Sequence, residues 1–287
     1  SRMHARLLRK GVHSIRILKN GRILLVTKRT ICTYDNIKSN VNKPFSIPRG
    51  SRPLFICENQ SGDLFWGEYF NNPKREEVNI YASTDNAQSW DIAYTFKKNS
   101  IRHVHGVFCD PYDNRIWVTT GDDDSESGIW VTDNQFKTLK EVIGGSQQYR
   151  AVQLIFTGDY VYFGTDTPYE KNHIYRINKS SGEVEELESV ESSVYWGCKA
   201  GDYMFFSTAV EPSNVNTGKY ACIWGSNDGE KWQCLKRLKK DIWPMKYFQM
   251  GQIFFPQGEN KTDYLFYTPM ATEGDQTLQR IKVSDLF

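Results

Sequence analysis

Long apolar runs are missing from this 287-residue chain: no segment approaches the roughly 18 to 20 consecutive apolar residues that cross a bilayer, so no membrane span is expected. The basic start, Ser1 to Gly11, has no hydrophobic signal region. An excess of one charge is missing as well. Lys and Arg number 36, Asp and Glu 34, and the formal net charge is +2; no long basic tract forms, which removes the electrostatic footprint of a nucleic-acid binder. C-x-x-C spacing is absent too: Cys32, Cys57, Cys109, Cys198, Cys222 and Cys234 are scattered, mostly among apolar strand residues. They read as buried free thiols, which favours a cytoplasmic location and leaves secretion open; Cys222 and Cys234 are placed to face one another on adjacent strands. No cofactor is expected.

What the chain has instead is β-forming material. Aromatic residues make up 14% and charged residues 24%, enough to bury sheet interfaces and unlike a disordered composition. Runs of β-branched and aromatic residues, bounded by Gly, Asn, Asp or Pro, come in groups of four about every 45 residues. A fixed period of that length marks repeated units, because one small sheet cannot bury both faces alone. The first group is Ser14–Leu18, Arg22–Thr27, Thr30–Tyr34 and Pro44–Ile47, and the second Leu54–Glu58, Asp63–Tyr69, Val78–Ser83 and Trp90–Phe96. The third is His103–Cys109, Arg115–Thr120, Gly128–Thr132 and Thr138–Ile143, and the fourth Arg150–Phe156, Tyr160–Thr165, His173–Asn178 and Glu183–Leu187. The fifth is Val194–Lys199, Tyr203–Thr208, Tyr220–Ser226 and Trp232–Arg237, and the last Met245–Gln249, Gln252–Pro256, Tyr264–Pro269 and Thr277–Val283.

Two of the third-to-fourth connections share a turn motif, Ser83-Thr84-Asp85-Asn86-Ala87-Gln88-Ser89-Trp90 and Gly225-Ser226-Asn227-Asp228-Gly229-Glu230-Lys231-Trp232, with a degenerate third at Trp130-Val131-Thr132-Asp133. The Asp accepts from backbone amides of a tight turn and the Trp covers the hairpin. These turns resemble the Asp boxes, or BNR repeats, of sialidase-like β-propellers, although Ala87 stands where the pattern has Gly and the second box is shifted by a residue. The resemblance implies an all-β fold, a single β-propeller of about six four-stranded blades forming one domain over 1–287, closed by a strand such as Arg6-Leu7-Leu8. Asp boxes lie away from the ligand face, so it implies fold more than activity.

In such a propeller the long second-to-third loops and the links into each blade share one face, where binding residues collect. Just beyond the second strands stand Glu68, Asp122, Asp166 and Glu211, and the links supply Arg49, Arg52, Arg102, His103, Tyr149, Arg150, Trp196, Trp243 and Lys246. Carboxylates suit glycosidic cleavage, Arg forks suit the carboxylate or sulfate of an acidic sugar, and the indoles offer stacking platforms. Arg102-His103-Val104-His105-Gly106 is the densest reactive cluster, since a two-residue step along a strand puts both imidazoles on one side. It reads as the base of a β-elimination with Tyr149 as proton donor, as a metal site completed by carboxylates, or as a hydrogen-bonded structural pair. The sialidase triad is not carried over, because Ile47-Pro48-Arg49-Gly50-Ser51-Arg52-Pro53 has its components in the wrong order.

The expected function is therefore cleavage of an acidic oligosaccharide or polysaccharide by hydrolysis or elimination, with Glu68, His103, His105, Asp122, Tyr149 and Asp166 as catalytic candidates. Arg49, Arg52, Arg102, Arg150, Trp196, Glu211, Trp243 and Lys246 are the substrate-binding candidates. The alternative is a non-catalytic propeller that binds glycan or protein through the same residues.

Overall fold

The structure, a computed structural model, describes residues 11–35 and 39–287; the expected closing strand Arg6-Leu7-Leu8 lies outside them. The fold is all-β, a six-bladed β-propeller whose blades are antiparallel sheets of about four strands in chain order. Two compact units divide the chain, one over 11–151 and the other Val152–Phe287.

In the first unit, blade 1 pairs Val12–Ile17, Ile23–Thr27 and Thr30–Asp35 in order, and the third strand also takes the short Asn40–Val41 and Phe45–Ser46. Blade 2 runs Cys57–Glu58, Leu64–Gly67, Val78–Ser83 and Asp91–Phe96, and blade 3 His103–Cys109, Ile116–Gly121, Gly128–Thr132 and Lys140–Gly144. Strands of blades 2 and 3 bury Phe65, Val78, Ile80, Val104, Val107, Ile116 and Val118 in one cluster, so the two sheets supply each other's missing face. Gly67 makes that approach close: a Cβ there would lie 2.3 Å from Val104.

In the second unit, blade 4 runs from Ala151–Phe156 through Tyr160–Thr165 and Asn172–Asn178 to Val184–Val190, and blade 5 from Val194–Ala200 through Tyr203–Thr208 and Tyr220–Ser226 to Gln233–Lys239. Blade 6 has three strands, Gln252–Phe254, Tyr264–Met270 and Gln279–Lys282. The strand expected at Met245–Gln249 is instead a helical turn, Met245–Phe248. Pro244 fixes its start, its carbonyl accepts from the Tyr247 and Phe248 amides, and Met245 and Tyr247 stay exposed with no sheet neighbour to bury them.

The Asp boxes are turns of the expected kind. Asp85 Oδ1 accepts from the amides of Gln88 (3.0 Å) and Ser89 (2.9 Å), Ser83 Oγ accepts from Ala87, and Trp90 is buried against Trp66 and Phe45. Asp228 repeats this with Glu230 and Lys231, both at 2.9 Å. Ala87 carries the left-handed φ of 63° that Gly229 carries at 78° in the second box. In the degenerate third turn the acceptor is Asn134, which takes the Thr138 amide at 3.0 Å.

Three first strands carry a β-bulge at one register. Val12 pairs with Thr27, Val104 with Thr120 and Val194 with Thr208, and in each case the next residue is skipped before pairing resumes. The skipped residues are His13, His105 and Tyr195. A bulge bends the strand and re-aims the extra side chain.

The cysteines correct the expected compartment. Cys57 and Cys109, scattered in sequence, meet with their Sγ atoms 2.7 Å apart because neighbouring strands of blades 2 and 3 carry them. Cys222 and Cys234 sit on adjacent strands of blade 5, where contact with Cys234 and burial push the Cys222 thiol up. Two pairs at near-disulfide distance suit a disulfide-forming, extracellular environment, so the cytoplasmic reading and the free-thiol reading behind it are set aside.

Candidate functional site

The first strand of blade 3 carries His103 and His105, and the chain leaving its second strand carries Asp122. A Cβ on Gly121 would lie 2.5 Å from the His105 ring, so only glycine lets that imidazole lie against the strand end. His103 Nδ1 stands 3.1 Å from the Phe70 carbonyl and His105 Nδ1 2.9 Å from the Ala151 carbonyl. A carbonyl only accepts, so both Nδ1 atoms are the N–H donors. The two Nε2 atoms then face each other at 3.1 Å, and Asp122 Oδ1 lies 3.2 Å from that of His103 and 3.1 Å from that of His105.

Two guanidinium groups close around the same carboxylate. Arg102 Nη1 is 3.0 Å from Asp122 Oδ2, and Arg150 Nη2 is 3.2 Å from Oδ1 while its Nη1 donates to the Asp122 carbonyl. Burial alone would raise the Asp122 carboxyl; hydrogen bonds from His103 and His105, and their charge, outweigh it and hold the group far below the usual carboxylate range. Burial lowers His105, against the pull of Asp122 and helped by the charge of His103 and Arg150. The rest of the acidic run turns elsewhere: Asp123 pairs with Arg75, and Asp124 accepts from Gln147 at 2.8 Å.

The cluster opens on a cleft of about 390 Å3 lined by Gly50, Ser51, Tyr69, Phe70, Asn71, Arg102, His103 and Asp122. Its volume falls within the range of small-ligand sites. Tyr69 packs its ring 4.4 Å from that of His103. Sequence reasoning passed over Tyr69; its signal was an aromatic directly after Glu68 at the end of a buried strand.

Glu68 itself is fully buried in an ion pair with Arg49, whose Nε donates to Oε1 at 2.8 Å, and it accepts the Asn79 amide. Arg49 also lies 4.7 Å over the Phe70 ring. Arg52 is half-buried beside His13, and Tyr149 sits on the turn Gln147–Tyr149 that leads into Arg150. The structure thus brings together Arg102, His103, His105, Asp122 and Arg150 of the expected set.

The remaining candidates belong to the second unit. Asp166 is buried just past Tyr160–Thr165. Trp196 donates to Gln252 at 3.3 Å and packs 4.7 Å from Phe254, and Glu211 accepts from the Tyr195 hydroxyl at 2.6 Å. Trp243 and Lys246 are exposed around the Met245–Phe248 turn. A second cavity of about 240 Å3, lined by Cys198, Lys199, Gln257 and Glu259 among others, gathers no comparable chemistry.

The fold and this cluster define a β-propeller compatible with carbohydrate binding or processing. No family model matches the sequence, and no curated protein matches it. Among solved structures, the chain is similar to one from a structural and mechanistic analysis of two prolyl endopeptidases, with a TM-score of 0.60 at 9% identity over 94% of this chain. The match spans 42% of that chain, and at this identity it shows the fold alone.

Proposed function

We propose that this protein, as one propeller domain of the Asp-box type, acts on an acidic oligosaccharide or polysaccharide in the cleft at Tyr69, Arg102 and His103, and cleaves it by β-elimination. The observation that carries the reading is the convergence of Arg102, Arg150, two imidazoles and Asp122 on a cleft with a tyrosine on its wall. Elimination at a uronate needs a cation on the carboxylate, a base for the proton on the adjacent carbon and an acid for the departing glycosidic oxygen. Arg102 at the cleft surface fills the first role, with Arg150 behind it. Tyr69 shuttles the proton from carbon to leaving oxygen, and Tyr149 is the second phenol available for that step.

Hydrolysis asks for two carboxyl groups flanking the bond. In the cleft Asp122 stands among imidazoles and guanidinium groups, and Glu68 is committed to Arg49, which favours elimination. A binding-only reading has one observation in its favour: Asp122, the carboxylate of the cleft, is satisfied by protein partners, as in a preorganised recognition surface.

The test is incubation with uronate- and sialate-containing glycans, read by absorbance near 235 nm and by mass spectrometry, for the wild type and for Arg102→Ala, Tyr69→Phe and Tyr149→Phe. Unsaturated products lost in Arg102→Ala and in one phenol variant support elimination. Shortened products without the chromophore mean hydrolysis. Binding without products means recognition alone.

A further inference from the structure

We propose that His103 Nε2, His105 Nε2 and Asp122 Oδ1 form a binding site for a divalent first-row transition-metal ion. The argument is one of lone pairs. Both Nδ1–H groups are spent on backbone carbonyls, at 3.1 Å for His103 to Phe70 and 2.9 Å for His105 to Ala151. In the neutral rings each Nε2 is then a bare acceptor. The two lie 3.1 Å apart, and the carboxylate oxygen, also an acceptor, completes a near-equilateral triangle with sides of 3.1 and 3.2 Å. Three acceptors held at this separation without a hydrogen among them repel one another unless a cation sits between them.

Metal bonds to imidazole nitrogen and carboxylate oxygen run about 2.0 to 2.2 Å, which places an ion just off the plane of such a triangle, bound to one side of it and open on the other. Two imidazoles with one carboxylate suit zinc, iron or manganese better than calcium or magnesium. The backbone carbonyls that fix both Nδ1–H groups hold the rings in the ligating tautomer, as the outer partners of metal-bound histidines do. Arg150 donates to Oδ1 and Arg102 to Oδ2, so the carboxylate is held both ionised and aimed. His103 and Asp122 line the cleft, which gives the ion an entrance and leaves its fourth position facing a ligand.

The binding argument stands apart from the glycan reading. If both hold, the ion adds positive charge where the sugar carboxylate docks, and the tyrosines keep the proton transfers.

The test uses zinc alone. Full-length protein is stripped with chelator, and zinc binding is followed by calorimetry and by competition with a chromophoric chelator, without glycan. One equivalent should bind, with affinity falling about 100-fold or more in His105→Gln and in Asp122→Asn and unchanged in His173→Gln. Cobalt(II) loaded into wild type should give visible bands of a nitrogen- and oxygen-ligated ion with no thiolate charge-transfer band, a readout that does not depend on any variant folding. Absence of stoichiometric binding, binding unaltered in folded His105→Gln, or a thiolate band would overturn the site. Glycan cleavage without zinc binding would sink the metal and leave the proposed function standing; zinc binding without glycan activity would do the reverse.

Discussion

Glu68 has no exposed surface and lies in the fork of Arg49, which keeps about a third of its side chain in water. Removing one partner of a buried pair leaves the other uncompensated, and that costs more than the pair contributes. Arg49→Met should therefore destabilise the fold by about 3 kcal/mol, somewhat less than a fully buried pair would lose. Glu68→Gln, which keeps shape and sheds the charge, should cost less. Urea denaturation of both variants checks the order, and an Arg49→Met variant as stable as wild type would refute it.

The Asp85 carboxylate holds the amides of Gln88 and Ser89 and the hydroxyls of Ser83 and Ser89. Its truncation strands a turn over a buried Trp90. Asp85→Ala should lower stability by about 1 to 3 kcal/mol, as loss of several charge-assisted bonds at a partly exposed site predicts. Ala87→Gly should raise stability or leave it unchanged, because it relieves the left-handed backbone at the cost of a single buried methyl. Thermal melts of the two variants should move in opposite directions or differ by several degrees.

His13 is the group most sensitive to mild acid. Burial first, then the charges of Arg52 and Lys28, lower its pKa from 6.5 to about 4. A depressed folded-state value means the unfolded chain takes up the proton first, so stability is complete above the unfolded pKa and falls as pH drops from about 6.5 toward 4. His13→Gln should flatten that part of the stability profile. The check is the midpoint of thermal unfolding at pH 7 and pH 5 for both proteins; equal slopes would rule the residue out.

Cys57 and Cys109 should be joined when the protein is isolated from an oxidising compartment, seen as a two-hydrogen mass deficit and a cross-linked peptide in an unreduced digest. Closing a loop of that length is worth about 4 kcal/mol on the chain-entropy estimate. Reductant should lower the melting temperature of the wild type and leave Cys57→Ser unmoved. A digest containing only free thiols after aerobic purification would contradict it.

Repetition made the fold readable. Strands such as Val78–Ser83, His103–Cys109, Gly128–Thr132, Tyr160–Thr165, Tyr203–Thr208 and Tyr220–Ser226 stand where the alternation and bounding residues put them. Met245–Gln249 failed because its aromatics satisfy a pattern while Pro244 and the lack of a pairing neighbour decide the backbone. The site was legible in part. Two imidazoles two residues apart, and an acidic group past the next strand, could be flagged from spacing, but their union around one oxygen depends on a bulge at His105 and a bare Gly121. Tyr69 was hidden because its partner His103 is distant in sequence. The cysteine pairs were hidden for the same reason: Cys57 and Cys109 meet only once two blades stack.

The bulge shared by three blades acts as a socket of constant backbone. In blade 3 it seats His105 against the anion of Asp122; in blade 5 the same seat holds Tyr195, whose hydroxyl donates to Glu211; in blade 1 it holds His13 under the field of the cation Lys28. One backbone device has thus been wired three ways: an imidazole with a carboxylate, a phenol with a carboxylate, and an imidazole held neutral by positive charge. Because the wiring resides in a bulged residue and a group just past the second strand, a blade's chemistry is a two-position choice separable from its fold, and exchanging such a pair between blades would transplant character without rebuilding a sheet.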